Sequence, residues 1–331
     1  MQTAVLPENQ LGPAIDWLRR GEVVAFPTET VYGLGADGLD AVACAKIFEA
    51  KRRPSDNPLI LHVLGLDDLE RLILGPVPAL VRALTEAFWP GPLTLVLPST
   101  PEVPAIVRAG LNTVAIRAPA HPVAKALIEA LNRPIAAPSA NLSGRPSPTT
   151  AQAVLDDLNG RIAYIVDGGQ TPVGVESTVV DCTTQPMTLL RPGGLSLEMI
   201  AKVVGEVQLS HPEGPDRSPG MKYRHYAPEA PVIWIQSTDR DFVKQTLDAL
   251  KREYGTVALA SPEPVSWQVN GGIESLGPDG TSAAHRLFCA LRRLDRGGPG
   301  AIAVVWGSTE GIGRAVANRV EKAAVGRVLA P

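Results

Sequence analysis

Two short polar segments stand beside apolar runs, and their residue types could hold a phosphorylated ligand. The first is Lys51-Arg52-Arg53-Pro54-Ser55-Asp56-Asn57-Pro58, leading into Leu59-Ile60-Leu61-His62-Val63. The second is Pro138-Ser139-Ala140-Asn141-Leu142-Ser143-Gly144, directly after Ile135-Ala136-Ala137. Each sets cations or small hydrogen-bonding side chains at an expected strand end, where α/β proteins build ligand sites. Fixed positive charge suits the phosphates of a nucleotide triphosphate, and hydroxyl and amide groups orient it. Lys51 and Arg53 could instead only offset the partial negative charge at a helix end. Ser139 and Asn141 could be turn formers. The prolines flanking Ser55-Asp56-Asn57 stiffen that backbone, and rigid presentation of two cations and an amide favours a binding role.

Other positions extend the candidate site. Pro27-Thr28-Glu29-Thr30-Val31-Tyr32-Gly33-Leu34-Gly35 follows the first expected strand. It reads as a polar loop in which Thr30 presents a hydroxyl. Thr113 and Arg117 bracket a strand of alternating character, and an arginine at the end of a buried strand usually has an anionic partner. No G-x-x-x-x-G-K-[ST] loop and no G-x-S-x-G elbow is present, so triphosphate chemistry here needs another cradle. The five histidines show no metal-ligand spacing. Gly307-Ser308-Thr309-Glu310-Gly311-Ile312-Gly313 has the outline of a dinucleotide-binding turn. The few residues after Gly313 leave no room for the next strand and its ribose-binding carboxylate, so nicotinamide binding is disfavoured.

The elements that must position these residues alternate between helix and strand. Helices are expected at 11–20, 40–48, 81–88 and 123–131, with strands at 22–26, 58–63, 93–97, 113–117, 135–137 and 164–167. Strands at 177–182 and 187–190 should pair before the Pro192-Gly193-Gly194 turn. This α/β domain spans 1–204. Residues 205–230 form an extended linker: Gly205 to Pro231 holds five prolines and three glycines, and within it lies Ser218 to Pro228, with two tyrosines and several basic groups. The pattern restarts at 231–331 as a smaller α/β domain.

Composition narrows the function classes. The chain has 331 residues, 45% hydrophobic and 20% charged, enough for two domains. A net charge of -3 with few aromatics argues against a general nucleic-acid-binding surface or base-stacking platform. Cys44, Cys182 and Cys289 are widely spaced, so neither a disulfide framework nor a zinc site is suggested. The start of the chain lacks a signal-peptide pattern, and no apolar stretch is long enough to cross a bilayer, so a cytoplasmic location is expected.

At these residues the chain resembles the YrdC/Sua family of L-threonylcarbamoyladenylate synthases. The K-x-R and S-x-N signature stands as Lys51-Arg52-Arg53 and Ser139-Ala140-Asn141. The P-T-E-T-x-Y-G-L loop is Pro27 to Leu34, the G-x-E-S-T-V element Gly174 to Val179, and the R-P-G element Arg191 to Gly193. His225-Tyr226-Ala227-Pro228 resembles the linker end of the family's long form. The resemblance implies a YrdC-like twisted mixed sheet with helices and a concave active-site groove, plus a smaller Rossmann-like α/β C-terminal domain. It implies synthesis of threonylcarbamoyl-AMP and pyrophosphate from L-threonine, bicarbonate or CO2, and ATP with Mg2+. The product would pass to a TsaD/Kae-type transferase that modifies tRNA. By position, Arg53, Asn57, Thr113, Ser139, Ser147, Arg191 and Tyr226 should contact ATP. Thr30, His62, Arg117, Ala137 (through its backbone) and Ser177 should hold L-threonine. Lys51, Arg53, Ser139 and Asn141 form the catalytic signature, and the strap ending at Tyr226 should act as a lid. The alternatives are an RNA-binding module and another carbamoyl or adenylyl transfer enzyme on the same first domain.

Overall fold

The computed structural model describes residues 2–210, 225–263 and 267–331. It divides into two compact units, one of Met1–Ser143, Pro148–Pro172 and Glu176–Lys222, the other of Gly144–Ser147, Val173–Val175 and Tyr223–Pro331.

The first unit begins with β1 (Ala4–Pro7), α1 (Gly12–Arg19), β2 (Val24–Pro27), β3 (Tyr32–Asp37), α2 (Ala41–Lys51) and β4 (Ile60–His62). It continues through α3 (Leu66–Leu72), α4 (Ala79–Phe88), β5 (Leu93–Pro98), α5 (Ala105–Arg108), β6 (Thr113–Arg117), α6 (Pro122–Leu131) and β7 (Ile135–Ala136). Then come α7 (Ala151–Leu158), β8 (Tyr164–Asp167), β9 (Thr178–Asp181), β10 (Met187–Arg191), α8 (Leu197–Val204) and β11 (Val207–Leu209). Among the described residues these strands form one mixed sheet, ordered β1-β8-β2-β3-β7-β4-β6-β5-β9-β10-β11.

Strand alternation separates two faces. Leu61, Ile116, Leu95, Val180 and Leu189 face the main core with Ala43, Ile47, Leu69, Leu84 and Ile200 from the helices. Ile60, Ala115, Val96, Val179 and Leu190 form a small cluster on the other face that contains no helix residue. Elsewhere on the sheet, α1 and α6 pack Leu18, Val123 and Leu127 against Val24, Phe26 and Val166.

Pro27 to Gly35 is not a loop throughout: only Thr28–Val31 turns, and β3 pairs antiparallel with β2 from Pro27↔Tyr32 to Val24↔Gly35. Its glycines answer a packing demand rather than a turn. A Cβ on Gly35 would lie 2.5 Å from Phe26 Cε1 and 2.6 Å from Ile135 Cγ2.

The second unit has β12 (Val232–Ile235), α9 (Arg240–Tyr254), β13 (Val257–Ser261), β14 (Ile273–Ser275), α10 (Gly280–Arg296), β15 (Ala301–Val305), α11 (Gly313–Ala324) and β16 (Val328–Leu329). All its strand pairs are parallel, in the order β14-β13-β15-β12-β16. Such a sheet is expected of βαβ units, whose crossover helices cover its faces. There is therefore room for a strand after Gly313, contrary to the sequence reading, because β16 needs only two residues beside β12. That strand carries no carboxylate, so the second objection to nicotinamide binding stands. No described helix is long and apolar enough to cross a membrane.

Candidate active site

Register gathers the site on the face that carries the small cluster. His62 is paired with Arg117. Continuing the β5–β6 register sets Arg117 opposite Thr94, which pairs with Val179, which pairs with Arg191. One transverse row thus carries His62, Arg117, Thr94 and Arg191 at the carboxyl ends of β4 and β6. Thr113 starts β6, so it lies about 13 Å along the strand from Arg117, beside Pro58 rather than His62.

Arg117 is buried and its guanidinium is held on three sides. Nε donates to Gly91 O at 3.3 Å, Nη1 to Thr30 Oγ1 at 2.9 Å, and Nη2 faces Glu29 Oε1 at 2.5 Å. Thr28 donates to Val31 O at 2.7 Å, so the Thr30 hydroxyl, 2.8 Å away, donates to Thr28. The other Glu29 oxygen accepts the Ala120 N–H at 3.0 Å. A guanidinium has five N–H donors. Two donate to Gly91 O and Thr30 Oγ1, and Nη2 meets Glu29 as an ion pair, which leaves N–H groups for an anionic or hydroxyl ligand.

Titration follows from this packing. Burial alone would raise the Glu29 pKa, but the Arg117 charge and hydrogen bonds from Arg117, Ala120 and its own backbone hold it below the usual carboxylate value. Burial, then the Arg117 charge, push His62 down to about 3, so the imidazole is neutral. Its Nδ1 donates to Ile60 O at 3.1 Å. Both shifts make acid destabilising. Between 6.5 and about 3 the unfolded chain protonates His62 and the folded chain does not, so stability falls as pH falls through that interval. The stabilisation from Glu29 is full above the unfolded carboxylate value and is lost as pH drops through its lowered folded value. Urea denaturation across this interval should show a stability slope that His62→Gln flattens; an unchanged slope would refute the assignment.

The signature segments behave differently from each other. Lys51 is 1% exposed, and its ammonium donates to the carbonyls of Ser139 and Asn141. It is spent on holding the second segment rather than presented at the surface, so any influence on phosphate acts through that segment. Arg52 ends α2 in the left-handed region at φ 52°, which turns the chain so that Arg53 Nη2 reaches Asn57 O at 3.3 Å and Pro58 O at 3.2 Å. Asn57 is buried, and its Nδ2 has no hydrogen-bond partner among the described residues. A buried donor without a partner is costly, and a ligand acceptor would satisfy it. Ser139 donates to Asn141 Oδ1 at 2.5 Å, while Asn141 Nδ2 donates to Leu142 O at 2.8 Å. The Ala137 N–H is given to Ile60 O at 2.9 Å, so its backbone can serve a ligand only through the carbonyl.

Arg191 closes the other side. Its Nη2 donates to Ser177 O at 2.9 Å and to Ser177 Oγ at 3.2 Å, and Ser177 Oγ lies 2.7 Å from Thr94 Oγ1. A Cβ on Gly193 would sit 2.3 Å from the Ser177 carbonyl carbon, so glycine lets the R-P-G turn lie against Glu176 to Thr178. Ser147 and Tyr226 belong to the second unit. There the Tyr226 ring stacks on Phe288 with centroids 5.3 Å apart, and Arg319 lies 5.3 Å from its centroid. Ser218–Arg224 of the expected strap lie outside the described residues.

The family described as "Telomere recombination" (Sua5, yciO and yrdC) matches residues 16–193. The family described as "Threonylcarbamoyl-AMP synthase, C-terminal domain" matches residues 195–325. The chain belongs to the long-form YrdC/Sua family. A threonylcarbamoyl-AMP synthase of Pyrococcus abyssi is 46% identical over 98% of this chain and 96% of its own length. One of Bacillus subtilis is 45% identical over 97% and 95%. The crystal structure of P. abyssi Sua5 complexed with L-threonine superposes with a TM-score of 0.94 at 45% identity, covering 99% of this chain and 100% of that one. E. coli YciO matches at a TM-score of 0.51 and 25% identity, over 58% of this chain and 96% of its own.

Within this YrdC/Sua chain, sequence reasoning passed over Glu29, Thr28 and Thr94. Glu29 and Thr28 sit inside the quoted P-T-E-T loop, and a carboxylate next to Thr30 was the available signal. Thr94 gave none, because only strand pairing sets it beside Ser177.

Proposed function

We propose that this chain makes L-threonylcarbamoyl-AMP and pyrophosphate from L-threonine, bicarbonate or CO2, and ATP, supplying the first step of tRNA threonylcarbamoyladenosine formation in the cytoplasm. The carrying observation is the buried Arg117 guanidinium. Thr30, Glu29 and Gly91 fix it, N–H groups remain for a ligand, and neutral His62 lies beside it. That arrangement suits a small hydroxy amino acid held by its polar groups. Arg53, Asn57, Thr113, Ser139 and Arg191 provide the ATP side, with Ser147 and Tyr226 assigned by resemblance. Thr30, His62, Arg117, the Ala137 carbonyl and Ser177 provide the threonine side.

In the reaction the threonine amine attacks the carbon of CO2 and loses a proton, or attacks bicarbonate, whose C–O bond breaks with loss of water; either route gives a carbamate. A carbamate oxygen then attacks the ATP α-phosphorus, and pyrophosphate leaves with the electrons of the broken P–O bond. Positioning carries such steps, up to about 7–11 kcal/mol of the barrier. Mg2+ arrives with ATP as part of the substrate and shares phosphate neutralisation with Arg53 and Arg191. Among the described residues no cluster of His, Cys, Asp or Glu could hold a metal ion. The mixed anhydride product is labile, which gives value to a closing strap. In this reading 1–204 is catalytic, 205–230 is the strap and 231–331 anchors it, and a TsaD/Kae-type transferase receives the product.

The test incubates the protein with ATP, labelled bicarbonate and each amino acid in turn. Pyrophosphate release that requires L-threonine is expected; its absence would sink the reading. Asn57→Ala removes a donor that has no partner among the described residues, so it should shift the melting temperature by no more than a few degrees. It should raise the KM for ATP about tenfold, the worth of one hydrogen bond to a charged group. An unchanged KM would place Asn57 outside the nucleotide site.

A further inference from the structure

A cavity of about 480 Å³ opens in the second unit, at the carboxyl ends of three parallel strands. Thr238 and Arg240 reach it from beyond β12, Ser261 and Glu263 from the end of β13, and Val305 to Ser308 from the end of β15. The chain leaves β13 for β14 at one edge of the sheet, and leaves the adjacent β15 for β16 at the other. A crevice forms where neighbouring strands send their connections in opposite directions. Its volume is within the range that encloses a small organic ligand, about 300–1,000 Å³.

We propose that this cavity binds a nucleoside monophosphate, separately from the site of the first unit. Three observations define the ligand. The wall is aromatic and apolar, with Trp267, Trp306, Val243 and Pro278. Trp306 is fixed because its Nε1 donates to Ser308 O at 2.8 Å and Gly313 O at 3.1 Å. Trp267 Nε1, by contrast, is buried without a hydrogen-bond partner among the described residues, so this wall offers a planar, hydrogen-bonding ring both a face and a donor.

The charge points to an anion. Arg240 is the first residue of α9, where a cation opposes the helix dipole. Its ion pair with Glu263, 3.6 Å apart with both side chains about 70% exposed, is worth little. A second cavity of about 380 Å³ shares Arg240 and Trp267 and adds Lys244, Asp248 and Lys251, where Lys251 is paired with Asp248 at 2.7 Å. Lys244, one turn along α9, is the further cation beside a phosphate at Arg240. Glu263, whose own strand end lies in the crevice, is placed to accept from ribose hydroxyls. The ligand is an aromatic base, a hydroxylated sugar and a phosphate, and Gly307 and Ser308 of the Gly307–Gly313 turn line this crevice.

Isothermal titration calorimetry of the full-length protein with AMP tests this. We expect a binding event that Arg240→Ala abolishes, that Trp267→Phe weakens about fivefold, the worth of one neutral hydrogen bond, and that Asn57→Ala leaves unchanged. Adenosine and ribose 5-phosphate should each bind more weakly than AMP at this event. AMP binding that is absent, or indifferent to both second-unit substitutions in folded protein, would overturn the proposal. So would ribose 5-phosphate binding as tightly as AMP.

Discussion

Arg117→Ala should abolish threonine-dependent pyrophosphate release and also destabilise the first unit by about 3–5 kcal/mol. The two effects have one cause. Glu29 is buried, and its carboxylate is kept ionised by the facing guanidinium. Removing Arg117 leaves that charge unpaired and leaves Thr30 Oγ1 without its donor. Catalysis fails for a different reason, the loss of the N–H groups that would meet the substrate. A double variant separates them. Arg117→Ala with Glu29→Gln removes the orphaned charge, so it should recover most of the stability in urea denaturation and none of the turnover. Glu29→Gln alone should retain part of the turnover, because its amide still accepts from Arg117, with the loss in the KM for threonine. Recovered activity in the double variant would show that Arg117 acts only on the fold.

Lys51→Met is expected to cost about 2–4 kcal/mol, because the half-buried Ser139 O and the buried Asn141 O lose a shared charged donor. It should also raise the KM for ATP far more than that for threonine, since the released segment carries Ser139, whereas His62 and Arg117 are placed by strand register. Chemical denaturation and steady-state kinetics on the same preparation check both. A destabilised variant with an unchanged KM for ATP would limit Lys51 to holding the fold together.

Local chemistry made much of the first unit legible. The helix expected over 40–48 is α2, and Asp40 caps it by accepting from the N–H groups of Val42 and Ala43. Thr113–Arg117 and Tyr164–Asp167 are strands with the bounds that their alternation suggested. β3 was hidden inside a segment that read as a polar loop, and the reason for its Gly35 is the bulk of Phe26 and Ile135. β11 was hidden in a Pro- and Gly-rich stretch, and at three residues it is too short to show a period.

The sequence by itself determined which groups were available: a K-x-R and S-x-N pair, a P-T-E-T loop, an arginine ending a strand, and the family to which they belong. Side-chain type and spacing carry that information, since each motif lies within a few residues. Tertiary structure decided what each group does. Lys51 and Ser139 are 88 residues apart, and Arg117 and Thr30 are 87 apart, so only folding pairs them. Pairing turned one expected phosphate cation into the support of a backbone segment. It also turned an unassigned carboxylate, Glu29, into the group that fixes Arg117, because a charge brought out of water must find its partner within the fold.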